Sequence, residues 1–155
     1  MKKHLEASLQ LDESMGAETG SGHRYYVLLA DAAARQRDLE GLRKYAPLAE
    51  ESATHIDHKL NIAIAKRAWG VAHTLVGEYS QAEECFKIAL EIFSSYPAAW
   101  QIGRTLFEMG ELTRLRKEKK KARDYYYRAL GVFEELHAAP YAALARAALE
   151  NLGGV

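Results

Sequence analysis

Residues 79–93 read YSQAEECFKIALEIF, and the same pattern returns forty residues later in residues 119–133, which read KKKARDYYYRALGVF. Small and aromatic residues occupy equivalent places in the two stretches, with Ala82 matching Ala122 and Phe86 matching Tyr126. Spacings of three and four residues place these side chains on one face of a helix, where alanine lets a second helix approach closely. The stretch therefore predicts a helix that packs against a neighbouring helix.

The forty-residue offset also relates the sequence on either side of this stretch. Gly70 precedes Ala82 by the same number of residues as Gly110 precedes Ala122, and a further step back reaches Ala30. Three copies of the pattern thus occupy most of the chain. A sustained period of this length is typical of stacked repeats, in which no single unit can bury its apolar face alone.

The order of residues within a copy resembles the tetratricopeptide repeat, a helix-turn-helix unit. A small residue lies late in the first helix, and in copy two a turn glycine follows. Aromatic and alanine residues then alternate along the second helix, as in Gly70, Gly77, Tyr79, Ala82, Phe86 and Ala89. The usual unit has about 34 residues. The forty-residue copies are similar to those in sensor domains of bacterial signal-transduction ATPases and transcription activators. Copy one has Arg37 and copy three has Lys117 in the place of the turn glycine.

The resemblance implies an all-α, superhelical array of three such hairpins in a single domain, residues 1–155. The expected segments are a leading helix with a glycine-rich loop (1–21), three repeats (22–56, 57–96 and 97–139) and a C-terminal capping helix (140–152). Leu5 and Leu9 indicate the leading helix. Leu144, Ala148 and Leu149 are the residues expected to cover the end of the array.

Three residues give local predictions about helix ends. Pro47 falls inside the second helix of copy one, where a proline removes a backbone hydrogen bond, so we expect a bend there. Asp57 is a plausible N-cap for the first helix of copy two, and Pro140 fits the first turn of the last helix.

Composition sets broad limits on function. Of 155 residues, 48% are hydrophobic and 27% charged, and 21 basic side chains balance 21 acidic ones. The balance gives no overall attraction to nucleic acid or to an anionic membrane. No signal-peptide pattern or long apolar run is present, and the single cysteine, Cys85, rules out an intrachain disulfide. We expect a cytoplasmic protein of one domain.

In the family that the chain resembles, the first helices line a concave face where partners bind. Carried over by offset, that face would contain several arginines, whose guanidinium groups suit carboxylates or phosphates on an extended, acidic peptide. The candidate binding residues are Arg24, Asp31, Arg67, Thr74, Arg104, Phe107, Glu111 and Arg114.

Two other uses of the chain are considered. Lys117 and Lys119–Lys121 form a basic cluster that could bind nucleic acid weakly, although a solvated turn between two helices accounts for it better. Alternatively, the unpaired end helices could dock on a second copy and form a homodimer or larger scaffold.

The sequence indicates no catalytic or metal site. Residues 17–24 resemble a phosphate-binding loop but lack its lysine and hydroxyl residue. His55 and His58 have Asp57 beside them but no nearby cysteine or carboxylate cluster, so they make a poor metal site. Tyr125 and Tyr127 cannot both face the same core, so at least one should be exposed at a surface. We expect no cofactor and no enzymatic activity. The sequence favours a non-catalytic module that binds a protein or peptide, as an adaptor or as the sensor part of a larger regulator.

Overall fold

A computed structural model describes residues 21–153 of the chain, with side chains from residue 24 onward. The described residues form α-helices and short turns and contain no β-strand, which confirms the predicted all-α class. No described helix is long and apolar enough to cross a membrane. The helices are α1 (Ser21–Arg35), α2 (Leu39–His55), α3 (Lys59–Leu75), α4 (Tyr79–Ser94), α5 (Ala99–Leu115), α6 (Lys119–Glu135) and α7 (Ala139–Asn151).

The chain divides into two compact units, Met1–Glu78 and Tyr79–Val155. In the described part of the first unit, α1 packs against α2 and α3, and α2 also packs against α3. In the second unit, α4 packs against α5, α5 against α6, and α6 against α7. Each unit is thus built from antiparallel helices that are consecutive in the chain, as in a helical repeat. The arrangement of the repeats in a single superhelical domain stays a prediction.

Successive helices from α2 to α7 each begin twenty residues after the one before, the first at Leu39 and the last at Ala139. Nearly all of the turns between successive helices have the same backbone geometry. In each of them, the residue two positions before the next helix has a positive φ. The residues with positive φ are Arg37 (55°), Asp57 (51°), Gly77 (82°), Lys117 (62°) and His137 (54°).

Hydrogen bonding shows why these turns are compact. Behind α1, the N–H of Asp38 donates to the carbonyl oxygen of Ala33 at 3.0 Å, and the N–H of Arg37 donates to that of Ala34 at 3.2 Å. This pair of bonds is the Schellman motif, which satisfies carbonyl groups left over at a helix C-terminus. The carbonyl of Asp38 then accepts from Leu42 in the next helix. Asp38 therefore belongs both to the C-terminal cap of α1 and to the N-terminal cap of α2.

The turn between α4 and α5 is different because Pro97 occupies the place of the residue with positive φ. The proline ring fixes φ near −65°, so the left-handed conformation is not accessible there. Instead, Tyr96 donates to the carbonyl of Phe93 at 3.2 Å and Ala98 donates to that of Tyr96 at 2.8 Å. Helix α4 accordingly ends at Ser94, whereas the neighbouring long helices run to the equivalent of position 95.

The predicted apolar face is buried in both α4 and α6. Ala82, Phe86, Ala89 and Phe93 are 0% exposed, and the four equivalent residues of α6 are as well: Ala122, Tyr126, Ala129 and Phe133. Phe133 contributes to a cluster with Leu106 of α5 and with Ala142 and Ala145 of α7. These contacts confirm that the repeating face is a packing face.

Two glycines of α5 permit its close approach to α6. A Cβ atom at Gly103 would lie 2.8 Å from Val132 and 2.9 Å from Phe133. At Gly110 it would lie 2.5 Å from the ring of Tyr126. Such separations are too short for ordinary contact between carbon atoms. The small residue late in the first helix is therefore required by the aromatic ring of the second.

Several local predictions are corrected or narrowed by the structure. The N-cap of α3 is His58, whose Nδ1 accepts from the N–H of Asn61 at 3.3 Å. Asp57 was the expected cap, but it is the turn residue with positive φ. Helix α2 continues through Pro47, which is exposed, so the proline does not break it. The predicted bend at Pro47 stays a prediction.

The two ends of the chain give different outcomes. The predicted leading helix around Leu5 and Leu9 lies outside the described residues. The last helix has Pro140 in its first turn, as predicted. Ala142 and Ala145 make its buried face, while Leu144 is 53% exposed, so the expectation that Leu144 covers a core was wrong. The three-residue step from Ala142 to Ala145 defines the packed face, and Leu144 points away from it.

Candidate partner-binding face

A salt bridge joins two of the candidate residues in the first unit, Asp31 and Arg67. Asp31 of α1 lies 3.0 Å from Nη2 of Arg67 in α3 and 3.6 Å from Nε of Arg35. The Arg67 side chain is 1% exposed and that of Asp31 is 17% exposed. A buried guanidinium needs a carboxylate partner, because an unpaired charge is costly to remove from water. Arg67 therefore helps to join α1 to α3.

The remaining candidates in this unit differ in accessibility. Arg24 is exposed at the beginning of α1. Thr74 is 7% exposed, and its hydroxyl donates to the carbonyl of Gly70 at 2.8 Å. That bond satisfies the hydroxyl within its own helix. Among the candidate residues of this unit, Arg24 and the partly exposed carboxylate of Asp31 are thus the groups most open to a ligand.

In the second unit, α5 presents Phe107, Glu111 and Arg114 at spacings of four and three residues. This spacing places them along one face of the helix. Phe107 and Glu111 are partly buried, whereas Arg114 is exposed. Arg104, one turn before Phe107, is 5% exposed and belongs to the interior. An apolar ring, a carboxylate and a guanidinium therefore follow one another along α5.

Glu111 is held from two sides. Its carboxylate accepts a hydrogen bond from the hydroxyl of Tyr126 in α6 at 2.5 Å, and Arg114 lies 3.1 Å from its other oxygen. Burial, reinforced by the adjacent carboxylate, raises the pKa of Tyr126, so its hydroxyl remains a donor. The hydrogen bond that Arg114 donates to Glu111 raises the pKa of Arg114. These contacts hold the exposed guanidinium in a defined position.

Phe107 completes this arrangement. Its ring centroid lies 5.5 Å from that of Tyr126, so the same tyrosine contacts the apolar and the charged part of the stripe. We call Phe107, Glu111 and Arg114 the α5 stripe. Sequence reasoning predicted that these three residues lie on one helix face, and it missed the contacts that Tyr126 makes with Phe107 and Glu111. One signal in the sequence could have indicated the contact with Glu111. Tyr126 stands where copy two has Phe86, and only the tyrosine carries a hydroxyl that can donate a hydrogen bond.

The basic cluster lies at the turn between α5 and α6, as the sequence predicts. Lys117 is the turn residue with positive φ, and Lys119 to Lys121 begin α6. Acidic groups reach into the cluster. Arg116 donates to Glu83 at 2.8 Å, and Glu118 lies 3.1 Å from Arg116 and 2.5 Å from Lys121.

This network partly neutralises the cluster. The hydrogen bond from Arg116 lowers the pKa of Glu83, which stays ionised. The hydrogen bond to Glu118 raises the pKa of Lys121. Since Arg116 and Lys121 already face carboxylates, they have less to gain from phosphate groups. The geometry is that of a solvated, ion-paired turn.

Other chemistry-bearing residues form no recognisable site in the described part of the chain. Residues 21–153 contain no group of three or more histidine, cysteine or acidic residues suited to a metal ion. Cys85 is a partly buried thiol outside any disulfide. The prediction about the tyrosines is confirmed, since Tyr127 is 60% exposed while Tyr125 is partly buried.

Comparison with known proteins gives one family. Residues 61–135 match the sequence profile of the tetratricopeptide repeat. This segment includes almost all of α3 and the whole of α4, α5 and α6. No curated protein is similar enough in sequence to match the chain.

Proposed function

Since this chain carries tetratricopeptide repeats in residues 61–135, and such repeats generally mediate protein–protein interaction, we propose that it is a non-catalytic module that binds a protein or peptide partner. It acts as an adaptor, or as the sensor part of a larger regulator. The family match supports the general role. The α5 stripe supports the nature of the ligand.

The observation that carries the proposal is the exposed guanidinium of Arg114, fixed by Glu111 and through it by Tyr126. A guanidinium has five N–H donors, and the contact with Glu111 occupies only part of them. Because the side chain is already ordered, a ligand carboxylate would bind it with a smaller loss of side-chain entropy. The partly exposed ring of Phe107, two turns earlier, offers an apolar contact.

The ligand that fits this surface is an extended peptide with an acidic residue and an apolar residue. The acidic residue would pair with Arg114, and the apolar side chain would contact Phe107. Arg24 and Asp31 would contribute in the first unit. Arg67 and Arg104 would support the face from the interior, since both are nearly fully buried. The joining of all these residues in one concave face remains part of the proposal.

A pull-down from a lysate of the source organism, with mass-spectrometric identification, tests the proposal. Arg114→Ala removes an exposed guanidinium from the α5 stripe, and Arg43→Ala removes an exposed one from α2 as the matched control. We expect wild type and Arg43→Ala to capture the same protein and Arg114→Ala to lose at least about tenfold in affinity, the effect of about 1.4 kcal/mol.

The three chains must first show equal helix content and thermal stability. A partner that all of them hold equally would contradict the α5 stripe as the site. Capture of no specific protein by the wild type would contradict the partner-binding role. A synthetic peptide from the captured protein, with its acidic residues changed to amides, then tests the assigned ligand chemistry.

A further inference from the structure

The outward face of α6 carries a straight stripe of exposed residues. It consists of Lys120, Asp124, Tyr127, Gly131 and Glu134, all of which are exposed. Successive members are four, three, four and three residues apart, the spacing by which one helix presents a continuous seam to another. This α6 seam lies on the second helix of its hairpin and is separate from the α5 stripe.

Two of its residues are unusual for a solvated helix surface. Tyr127 is 60% exposed, and a Cβ atom at Gly131 would have no neighbour within 4 Å. Forty residues earlier, the equivalent positions of α4 are Lys87 and Glu91, ordinary charged residues that are also exposed. Glycine in the interior of a helix costs about 1 kcal/mol relative to alanine. Packing among the described residues gives no reason for that cost.

The α6 seam has a lysine near one end and a glutamate near the other, and Asp124 is a further charged residue between Lys120 and the centre. Tyr127 is the middle residue of Lys119–Glu135, Lys120 lies seven residues before it, and Glu134 lies seven residues after it. A rise of 1.5 Å per residue puts each charge about 10 Å from the tyrosine. We propose that α6 pairs in antiparallel orientation with α6 of a second copy of this chain.

A two-fold axis beside Tyr127 accounts for every residue of the seam. The tyrosine would contact Tyr127 of the second copy, and offset or edge-to-face aromatic contact is favourable. Lys120 would face Glu134 of the second copy, and the symmetry produces this pair twice. Parallel pairing would instead oppose lysine to lysine and glutamate to glutamate. The charges therefore select the antiparallel orientation.

Gly131 also has a role in this arrangement. It faces Asp124 of the second copy, and the missing side chain makes room for the aspartate and for the Arg128 that lies 3.8 Å from it. Glu134 already pairs with Arg146 at 2.6 Å, but a carboxylate has further acceptor positions for a lysine. The seam therefore fits a second copy without leaving a charge unpaired.

The size of the contact sets its strength. Helix α6 is about 25 Å long at 1.5 Å per residue, so a single pair of such helices buries less than the roughly 1,200 Å² of a stable interface. The dimer is accordingly weak and forms at high local concentration. It involves none of the residues of the partner-binding proposal, and either proposal can fail without the other.

Sedimentation equilibrium from about 20 μM to about 1 mM tests the inference over the range expected of a weak dimer. We expect the mass of the wild-type chain to rise from 17.4 kDa toward twice that value. Lys120→Glu and Glu134→Lys should each weaken association at least tenfold, because like charges then face each other. The double variant should recover, since the reversed pair is again complementary. Tyr127→Ser should also weaken association about tenfold.

Lys87→Glu and Glu91→Lys on α4 are the matched controls for charge, and neither should alter association. All variants are at exposed positions, and circular dichroism verifies that they fold. A wild type that remains monomeric throughout the range overturns the proposal. So does dimerisation that the α6 variants and the α4 controls affect equally, or a double variant that fails to recover.

Discussion

Gly110 and Gly131 lie in neighbouring helices of one hairpin, and their surroundings are opposite. A Cβ atom at Gly110 would enter the ring of Tyr126 at 2.5 Å, whereas one at Gly131 would meet nothing within 4 Å. Both glycines carry the same intrinsic cost in a helix. At Gly110 the packing of α6 on α5 requires a glycine despite that cost. At Gly131 no contact within the described chain does, so only the first glycine is needed for the fold.

The largest expected effect is at Gly110. Gly110→Ala should destabilise the protein by about 2 kcal/mol, because overpacking of a close helix contact outweighs the gain in helix propensity. Urea unfolding followed by circular dichroism measures it. The penalty should shrink in a Tyr126→Leu background, where the ring is absent. An undiminished penalty in that background would show that the tyrosine is not the obstacle.

The hydroxyl of Tyr126 gives the next effect. Tyr126→Phe keeps the ring against Gly110 but removes the hydrogen bond to Glu111, and we expect a loss of about 1.5 kcal/mol, as for a hydrogen bond to a charged acceptor. The same unfolding measurement detects it. Tyr127→Phe is the control, since Tyr127 is largely exposed and its change should be close to zero. Equal losses in both variants would refute the assigned bond.

Substitution at the exposed glycine should have the opposite sign. Gly131→Ala should stabilise the monomer by about 1 kcal/mol, because alanine has a higher helix propensity and there is space for its methyl group. The measurement is made at low micromolar concentration to keep the chain monomeric. Destabilisation would mean that the outward face of α6 is covered by another part of the chain.

The turns extend the comparison to a smaller effect. Lys117 and Gly77 adopt left-handed φ values of 62° and 82°, which glycine adopts freely and lysine only at an energetic cost. Lys117→Gly should therefore stabilise the protein by about 0.5 kcal/mol, and Gly77→Ala should destabilise it by about 1 kcal/mol. Differential scanning calorimetry compares the two. Lys120→Gly, within α6, is the control and should destabilise.

Much of the fold could be predicted from the repeated apolar pattern. The stretch of residues 79–93, which predicts a helix, lies within α4, and its repeat at residues 119–133 lies within α6. The pattern works because packing faces must recur wherever helices stack. The turn geometry was harder to predict. Only Gly77 gives a clear signal of a left-handed residue. Asp57 and His137 are of types that adopt this conformation more often than most, while Arg37 and Lys117 have the same geometry without a residue that favours it.

The candidate face was predicted less completely. The offset places a residue on a helix face, but it does not say which neighbouring helix covers that face. Arg67 illustrates the limit, since its partner Asp31 belongs to α1 and the pair is separated by 36 residues. Long-range partners of this kind depend on helix packing and are not visible in a periodicity. Arg114 was easier to locate because its partner Glu111 lies within the same turn.

The compact Schellman turns between helices affect how the chain folds. Each Schellman turn passes directly from one helix to the next, so a newly formed helix needs to close only a loop of a few residues to contact its neighbour. Loops of about ten residues close in tens of nanoseconds, and local contacts of this kind correlate with fast folding. We expect α5 and α6 to form an early nucleus, because Gly110 and Tyr126 can meet before any distant segment arrives.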